Sequence, residues 1–293
     1  MPESAVIFDR HLLALRRARA RRLGAETFLL DHAANDLAER VSVVLRKFER
    51  AADIGTPGDA VRELLIERKL AARVIAAGAA PRRDIAADEE ALPFADQSLD
   101  LAVSALSLHF VNDLPGTLIQ IRRALKPDGL LLCALLGGDT LTELRQSFAA
   151  AESEIEGGIS PHVAPFADLR DLGALLQRAG FALPVTDLDR LTVRYANAFS
   201  LMHDLRRMGA TNVLAERRRK PMRRTTLLRM AEIYRERFAD PDGRVRATFD
   251  IVWLSGWAPH ESQQTPLKPG SARTRLADAL KTAEIPAGEK AGH

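Results

Sequence analysis

Several residues of this chain have the types and spacing that chemistry needs. In Asp53-Ile54-Gly55-Thr56-Pro57-Gly58-Asp59, Gly55 and Gly58 allow close backbone approach and offer free N–H groups to an anionic ligand. Asp88-Glu89-Glu90 supplies carboxylates that accept hydrogen bonds, or else forms a solvated turn before Pro93. His109 suits general-base work or substrate orientation, and equally a satisfied structural role. His162 follows Ser160-Pro161, yet two histidines without a placed carboxylate do not define an iron-binding facial triad, and no metal site is expected. Asp139, Glu143 and Arg145 read either as cleft residues or as a helix start with Asp139 at its N-cap. Cys133 is the one cysteine and is flanked by Leu131, Leu132, Leu135 and Leu136, so an inert buried thiol is expected.

The elements that must position these groups follow from hydrophobic patterning. Residues 99–106 form an apolar run of strand length, 115–125 a helix, Pro127-Asp128-Gly129 a turn, and 130–136 a second apolar run. This is the βαβ unit of a parallel sheet buried on both faces. A first strand is expected over 51–55, a helix over 60–69 and a second strand over 73–77. Residues 77–84 are too few for another helix, so the third strand should be short or lost. A helix to about 156, another over 168–179, a strand over 185–195, helices over 197–208 and 222–238, and a closing strand over 247–256 complete the pattern. At the start, Phe8-Asp9-Arg10 opens one helix and 34–48 reads as a second. From 261 onward Gln, Pro, Ser, Lys and Gly dominate, which suits a flexible tail with at most a short helix over 273–281.

The segment from Asp88-Glu89-Glu90-Ala91-Leu92-Pro93-Phe94 through Leu99-Asp100 to Leu125-Lys126-Pro127-Asp128-Gly129 resembles the class I S-adenosylmethionine (SAM) methyltransferases. More narrowly, Ser104-Ala105-Leu106-Ser107-Leu108-His109-Phe110, Leu136-Gly137-Gly138-Asp139, Gly157-Gly158, Met208-Gly209 and Gly256-Trp257 resemble the methyltransferase-like assembly factor of respiratory complex I, a family associated with arginine hydroxylation. A more distant similarity is to the malonyl-acyl-carrier-protein methyltransferase of biotin synthesis. The resemblance implies an α/β Rossmann-like sheet with an N-terminal helical segment at 1–47, a methyltransferase-like domain at 48–260 and a helical lid inserted at about 196–240.

It also implies SAM as cofactor. Asp53, Gly55 and Gly58 would meet its amino-acid portion, Asp88 and Glu89 its adenine, and Ser104, Ala105 and Leu106 would line the floor. Three departures stand out. Pro57 replaces the second glycine and deletes an N–H, no acid stands at 77–79 for the ribose, and Phe110 replaces the family's usual Trp. SAM is therefore expected to be held weakly or lost.

With 46% hydrophobic and 28% charged residues in 293, the chain is ordinary for a soluble protein, and no apolar run reaches the roughly 20 residues of a membrane span. The start lacks a secretory signal, and although its amphipathic, Arg-rich character could suggest a mitochondrial transit peptide, Glu3 and Asp9 argue against one, so a cytoplasmic location is expected. Net charge is +3, with arginines bunched at Arg16, Arg17, Arg19, Arg21 and Arg22 and again from Arg217 to Arg224. These read as solvated helix faces, or as docking sites for an acidic partner or an anionic membrane surface. Without interleaved aromatics they exclude nucleic acid. Three functions remain open: modification of a protein substrate in complex I assembly by methylation or arginine hydroxylation, a non-catalytic assembly factor, and methylation of a carrier-bound carboxyl. His109 is the candidate catalytic residue.

Overall fold

The structure, a computed structural model, describes residues 6–79, 83–264, 278 and 282. Strands β1 (Phe48–Ile54), β2 (Ala71–Gly78), β3 (Ile85–Ala86), β4 (Leu99–Ala105), β5 (Leu125–Gly137), β6 (Ala182–Tyr195) and β7 (Val245–Trp257) form a sheet in the order β3-β2-β1-β4-β5-β7-β6. The first five are parallel, and β7 runs antiparallel between β5 and β6. This is the α/β architecture the sequence pattern calls for.

Helices cover both faces because the central strands are apolar on both. One face meets α2 (Phe28–Ser42), α3 (Ala60–Glu67), α5 (Thr142–Glu156), α7 (Ala198–Arg207) and α8 (Arg224–Phe238). The other meets α4 (Leu114–Ala124) and α6 (Leu169–Arg178) through Leu118, Ile121, Leu172 and Leu176. Cys133 is fully buried in that second layer, and burial pushes its thiol up to about 12, so it packs as an apolar side chain. A third, smaller cluster of Phe8, Leu13, Phe110, Val213 and Leu214 fixes α1 (Arg10–Arg22) over the carboxyl ends of the strands.

The second helix lies six residues earlier than the sequence suggests. Its buried residues, Leu29, Leu30, Ala33, Ala34, Leu37, Ala38 and Val41, follow a three-and-four spacing that begins at Phe28, and Phe48 already belongs to β1. The trimmed edge is as expected: β3 pairs with β2 through Ala77↔Ile85 and Gly78↔Ala86. So short a strand needs no crossover helix. Of the two inserted helices, α7 contacts α1 above the strand ends while α8 packs against α5, so one helix, not two, roofs the cleft. The helix expected at 273–281 lies outside the described residues apart from 278. No helix among the described residues is long and apolar enough to cross a membrane.

Candidate functional site

Three strand ends leave the sheet through left-handed residues: Gly55 after β1 (φ +72°), Leu106 after β4 (φ +50°) and Gly138 after β5 (φ +49°). These turns open the sheet's carboxyl edge, where open α/β sheets bind ligands. The floor is stitched side to side. Asp53 is fully buried and accepts from the Thr56 hydroxyl, whose oxygen accepts from the Ala105 N–H at 2.9 Å. Burial raises the Asp53 carboxyl to about 6 despite the Thr56 bond and Arg83. Arg83 lies 3.7 Å from Asp53 Oδ2 and donates to the carbonyls of Thr56 and Gly58. A guanidinium thus occupies the region beside the end of β2 where the family resemblance calls for a ribose-binding acid.

The next layer is an ion-pair cluster delivered by α1. Glu89 is 2% exposed and takes hydrogen bonds from Arg10 and, at 3.0 Å, from the Ser107 hydroxyl. Arg10 also reaches Asp88 at 3.0 Å. A Cβ on Gly55 would overlap the Glu89 carboxylate, so that carboxylate lies directly on the strand-one glycine. Arg17 donates to Ser107 Oγ at 3.3 Å, and enclosure lowers its guanidinium to about 10. Ser104, expected on the floor, has its hydroxyl sealed off without a partner.

Beyond this cluster lies a chamber of about 510 Å3, within the usual range of small-molecule sites. Its walls are mainly apolar, including Leu106, Leu136, Leu144, Phe148, Met202 and Phe249, and Gly58, Pro57 and both histidines also line it. Gly55, Asp88 and Ser104 are not among its lining residues, so the structure separates the expected cofactor residues into two groups. His162 Nε2 contacts the buried Glu152 carboxylate at 2.9 Å, and its ring stacks on Phe148 at 4.1 Å. Among the described residues no cluster of three or more His, Cys, Asp or Glu is arranged to hold a metal.

His109 does not have the arrangement of a general base. Its Nδ1 accepts from the Leu136 N–H at 3.3 Å, which assigns the proton to Nε2. Nε2 is sealed from solvent and has no partner. Burial, reinforced by Arg17, drops the imidazole to about 3, so it stays neutral and can only donate from Nε2. A pH effect on stability follows. Between about 3 and His109's ordinary 6.5 the unfolded chain binds a proton that the folded chain refuses, so His109 costs stability as pH falls through that window. Asp53 acts oppositely, since between its ordinary 3.8 and about 6 the folded chain holds the extra proton. Urea unfolding from pH 7 to 5 should show His109→Gln losing less stability than the parent and Asp53→Asn losing more. Identical pH slopes would contradict both assignments.

Asp139 does not cap α5. The helix starts at Thr142 after Leu141, whose φ is +55°, and Asp139 instead pairs with Arg190 at 2.7 Å. Glu143 is buried and binds Thr248 at 2.5 Å, while Arg145 donates to the Thr140 and Ala164 carbonyls. Asp84 holds the Ala76 N–H at 2.9 Å on the edge of β2. The sequence reading missed Arg10, Arg17, Arg83 and Ser107 as site residues. Arg17 was visible only as one member of an arginine run. The signal that separates it is helical spacing, since Arg10, Leu13, Arg17 and Ala20 share one face of α1.

A model described as "Methyltransferase domain" matches residues 60–133. The arginine-hydroxylase NDUFAF5, mitochondrial, of Homo sapiens is 40% identical over 99% of this chain and 88% of that protein. A malonyl-[acyl-carrier protein] O-methyltransferase of Gallionella capsiferriformans (strain ES-2) is 39% identical over 60% of this chain and 58% of that protein. Among solved structures, a putative methyltransferase from Bacillus halodurans C-125 superposes with a TM-score of 0.52 at 16% identity, covering 78% of this chain and 99% of that one, a likeness of fold. The expected cytoplasmic location is overturned by the NDUFAF5 relatives, which are mitochondrial by name. The physical reason is that lack of a secretory signal leaves several compartments open.

Proposed function

We propose that the chain, which belongs to the NDUFAF5 arginine-hydroxylase family, serves respiratory complex I assembly by modifying an arginine of a partner protein, and that the modification is hydroxylation, in which dioxygen gives one oxygen atom to the arginine and the other to water with two electrons from a reductant supplied by another component, rather than methyl transfer. The observation that carries the choice is the ion-pair cluster. SAM would need the strip between Gly55 and Asp88 for its nucleoside. There the Glu89 carboxylate presses on Gly55, and Arg10 ties Glu89 to Asp88. Arg83 adds a cation where a ribose diol needs an acceptor. The residues as arranged do not fit the group.

What the chain's residues do is bind and orient. Asp31, which accepts from the Thr27 hydroxyl at 2.8 Å, and Asp59, 3.5 Å from Arg83, line the chamber and are solvent-exposed, and their remaining acceptor capacity supports a role in receiving an incoming guanidinium. The exposed Arg219, Lys220, Arg223 and Arg224 offer a cationic patch to an acidic face of the partner or to an anionic membrane surface. Deleting the gene should lower assembled complex I. Intact-mass analysis of its quinone-site subunits should show one arginine peptide that loses about 16 Da in the deletion strain, the mass of the hydroxyl oxygen. A loss of about 14 Da would establish methyl transfer instead. Normal complex I in the deletion strain would refute the assembly reading. Lowered complex I with no mass difference would leave a non-catalytic binding module.

A further inference from the structure

Two histidines line the chamber, and they differ in what they leave open. His109 has its free nitrogen sealed. His162 has the opposite arrangement. It stands in the segment 157–168 between α5 and α6, and its ring stacks on Phe148 at 4.1 Å. Its Nε2 lies 2.9 Å from the Glu152 carboxylate and 3.1 Å from Ser160 Oγ. Glu152 is 1% exposed and also takes the Ser160 N–H at 2.6 Å and the Ser160 hydroxyl at 2.7 Å. Burial pushes its carboxyl up, but the bonds from Ser160 and His162 outweigh burial and hold it below its ordinary range, so it is ionised and accepts. Nε2 therefore carries a proton toward Glu152. Nδ1 has no partner among the described residues and is not sealed.

The rest of the lining offers no comparable group. Arg16, Arg17, Arg21 and Arg207 are guanidinium groups that keep their protons, while Glu26, Asp31 and Asp59 are carboxylates that accept. Arg207 and Glu26 pair with each other at 3.0 Å. No lysine, cysteine or tyrosine is among the lining residues, and His109 stays neutral. Imidazole is the side chain that takes up and gives away a proton near neutrality.

We propose that His162 is the proton donor of the chamber's reaction, with Glu152 as its positioning residue. The inference rests on the hydroxylation reading above. There R–H, dioxygen, two electrons and two protons become R–OH and water, so the oxygen atom that leaves as water must collect both protons. One comes from doubly protonated His162: the Nδ1–H bond breaks, an O–H bond forms, and the ring is left neutral with its remaining proton on Nε2 against Glu152. The other comes from solvent, which also reloads Nδ1. While the ring is charged, the Glu152 carboxylate is its countercharge. Glu152 is balanced in turn by Arg218 at 3.5 Å, which it shares with Glu156.

The test adds purified full chain to a lysate of the deletion strain, which supplies the partner protein and the reductant, and follows the hydroxylated arginine peptide by mass over time. His162→Phe, which keeps a ring to stack on Phe148, should slow hydroxylation at least ~100-fold, and Glu152→Gln at least ~10-fold. A donor works only in its protonated form. The ratio of parent to His162→Phe rates should therefore fall about 10-fold as pH rises from about 6 to about 8, whereas a structural residue would leave that ratio flat. Nitrogen NMR of the full chain should find the neutral ring's proton on Nε2. Circular dichroism melts check each variant, and His162→Gln serves where His162→Phe does not fold. With hydroxylation intact in the parent, a flat ratio or a neutral ring protonated on Nδ1 overturns the donor role and leaves the hydroxylation reading standing. A methylated product, or no mass shift from the parent chain, overturns both, because no oxygen atom then takes up protons.

Discussion

Trp253→Ala should lower the unfolding free energy by about 3–5 kcal/mol. Trp253 is 1% exposed and sits in β7 opposite Ala134 of β5 and Asp187 of β6. The Arg40 guanidinium of α2 covers its ring at 4.4 Å, so the indole joins the sheet to the helix above it. Alanine removes the whole ring from a layer that also contains the chamber wall at Phe249. Strands and helices on three sides cannot collapse far enough to fill the hole. Its Nε1–H is sealed without an acceptor, which offsets part of what the ring contributes, so Trp253→Phe should cost much less. Urea unfolding reads both variants, and the alanine variant should melt roughly 6–20 °C lower. A loss below about 1 kcal/mol would mean that the β5–β7 layer is packed more loosely than described.

Gly55→Ala is expected to cost about 3 kcal/mol or more, from two causes that can be separated. The first is conformational: a side chain at φ +72° meets the left-handed penalty of about 1–2 kcal/mol. The second is steric, because the new methyl would overlap Glu89 and stand 2.7 Å from Ser107 Oγ. Glu89 would be forced off Arg10, leaving a buried charge short of its partner. Gly24 provides the control, since its φ is +79° and nothing lies within 4 Å of the added carbon. Gly24→Ala should therefore show the first cost alone. In a Glu89→Ala background the Gly55 substitution should cost less than in the parent, a coupling that a double-mutant cycle measures. Additive losses would show that Glu89 does not press on Gly55.

The sheet was legible because its central strands are buried on both sides and so read as unbroken apolar runs. β4 and β5 emerge from Leu99 to Leu136 on that ground alone. The end of α2 was misplaced because Val43, Val44 and Leu45 continue the apolar texture past the helix, although Val43 and Leu45 are exposed. Within the site, Asp53, Gly55 and Leu106 stand at the ends of β1 and β4, while Asp88 and Glu89 lie in the turn after β3, at positions that the family resemblance, not strand geometry, singles out. Their partners were not legible. Arg10 and Arg17 come from a helix about 70 residues or more upstream of Glu89, and Arg83 from the far side of β2. A charge run gives no indication of which member turns inward, since that depends on where the tertiary fold leaves an uncompensated carboxylate. His109 was visible as a candidate, but the state of its ring depends on the Leu136 amide, a contact across 27 residues.

The docking of α1 also orders events in time. Its anchors lie far along the chain: Asp9 pairs with Arg217 across 208 residues, and Phe8 bridges Leu214. During synthesis α1 leaves the ribosome long before α7, so its seat is incomplete until the segment after α7 has followed. Closing so long a loop costs chain entropy, so β1 to β5, which are all made before residue 214, can pair before their cover docks, while β7 joins the sheet later still. Until then Glu89 stands without Arg10, and anything that binds it at that stage competes with α1.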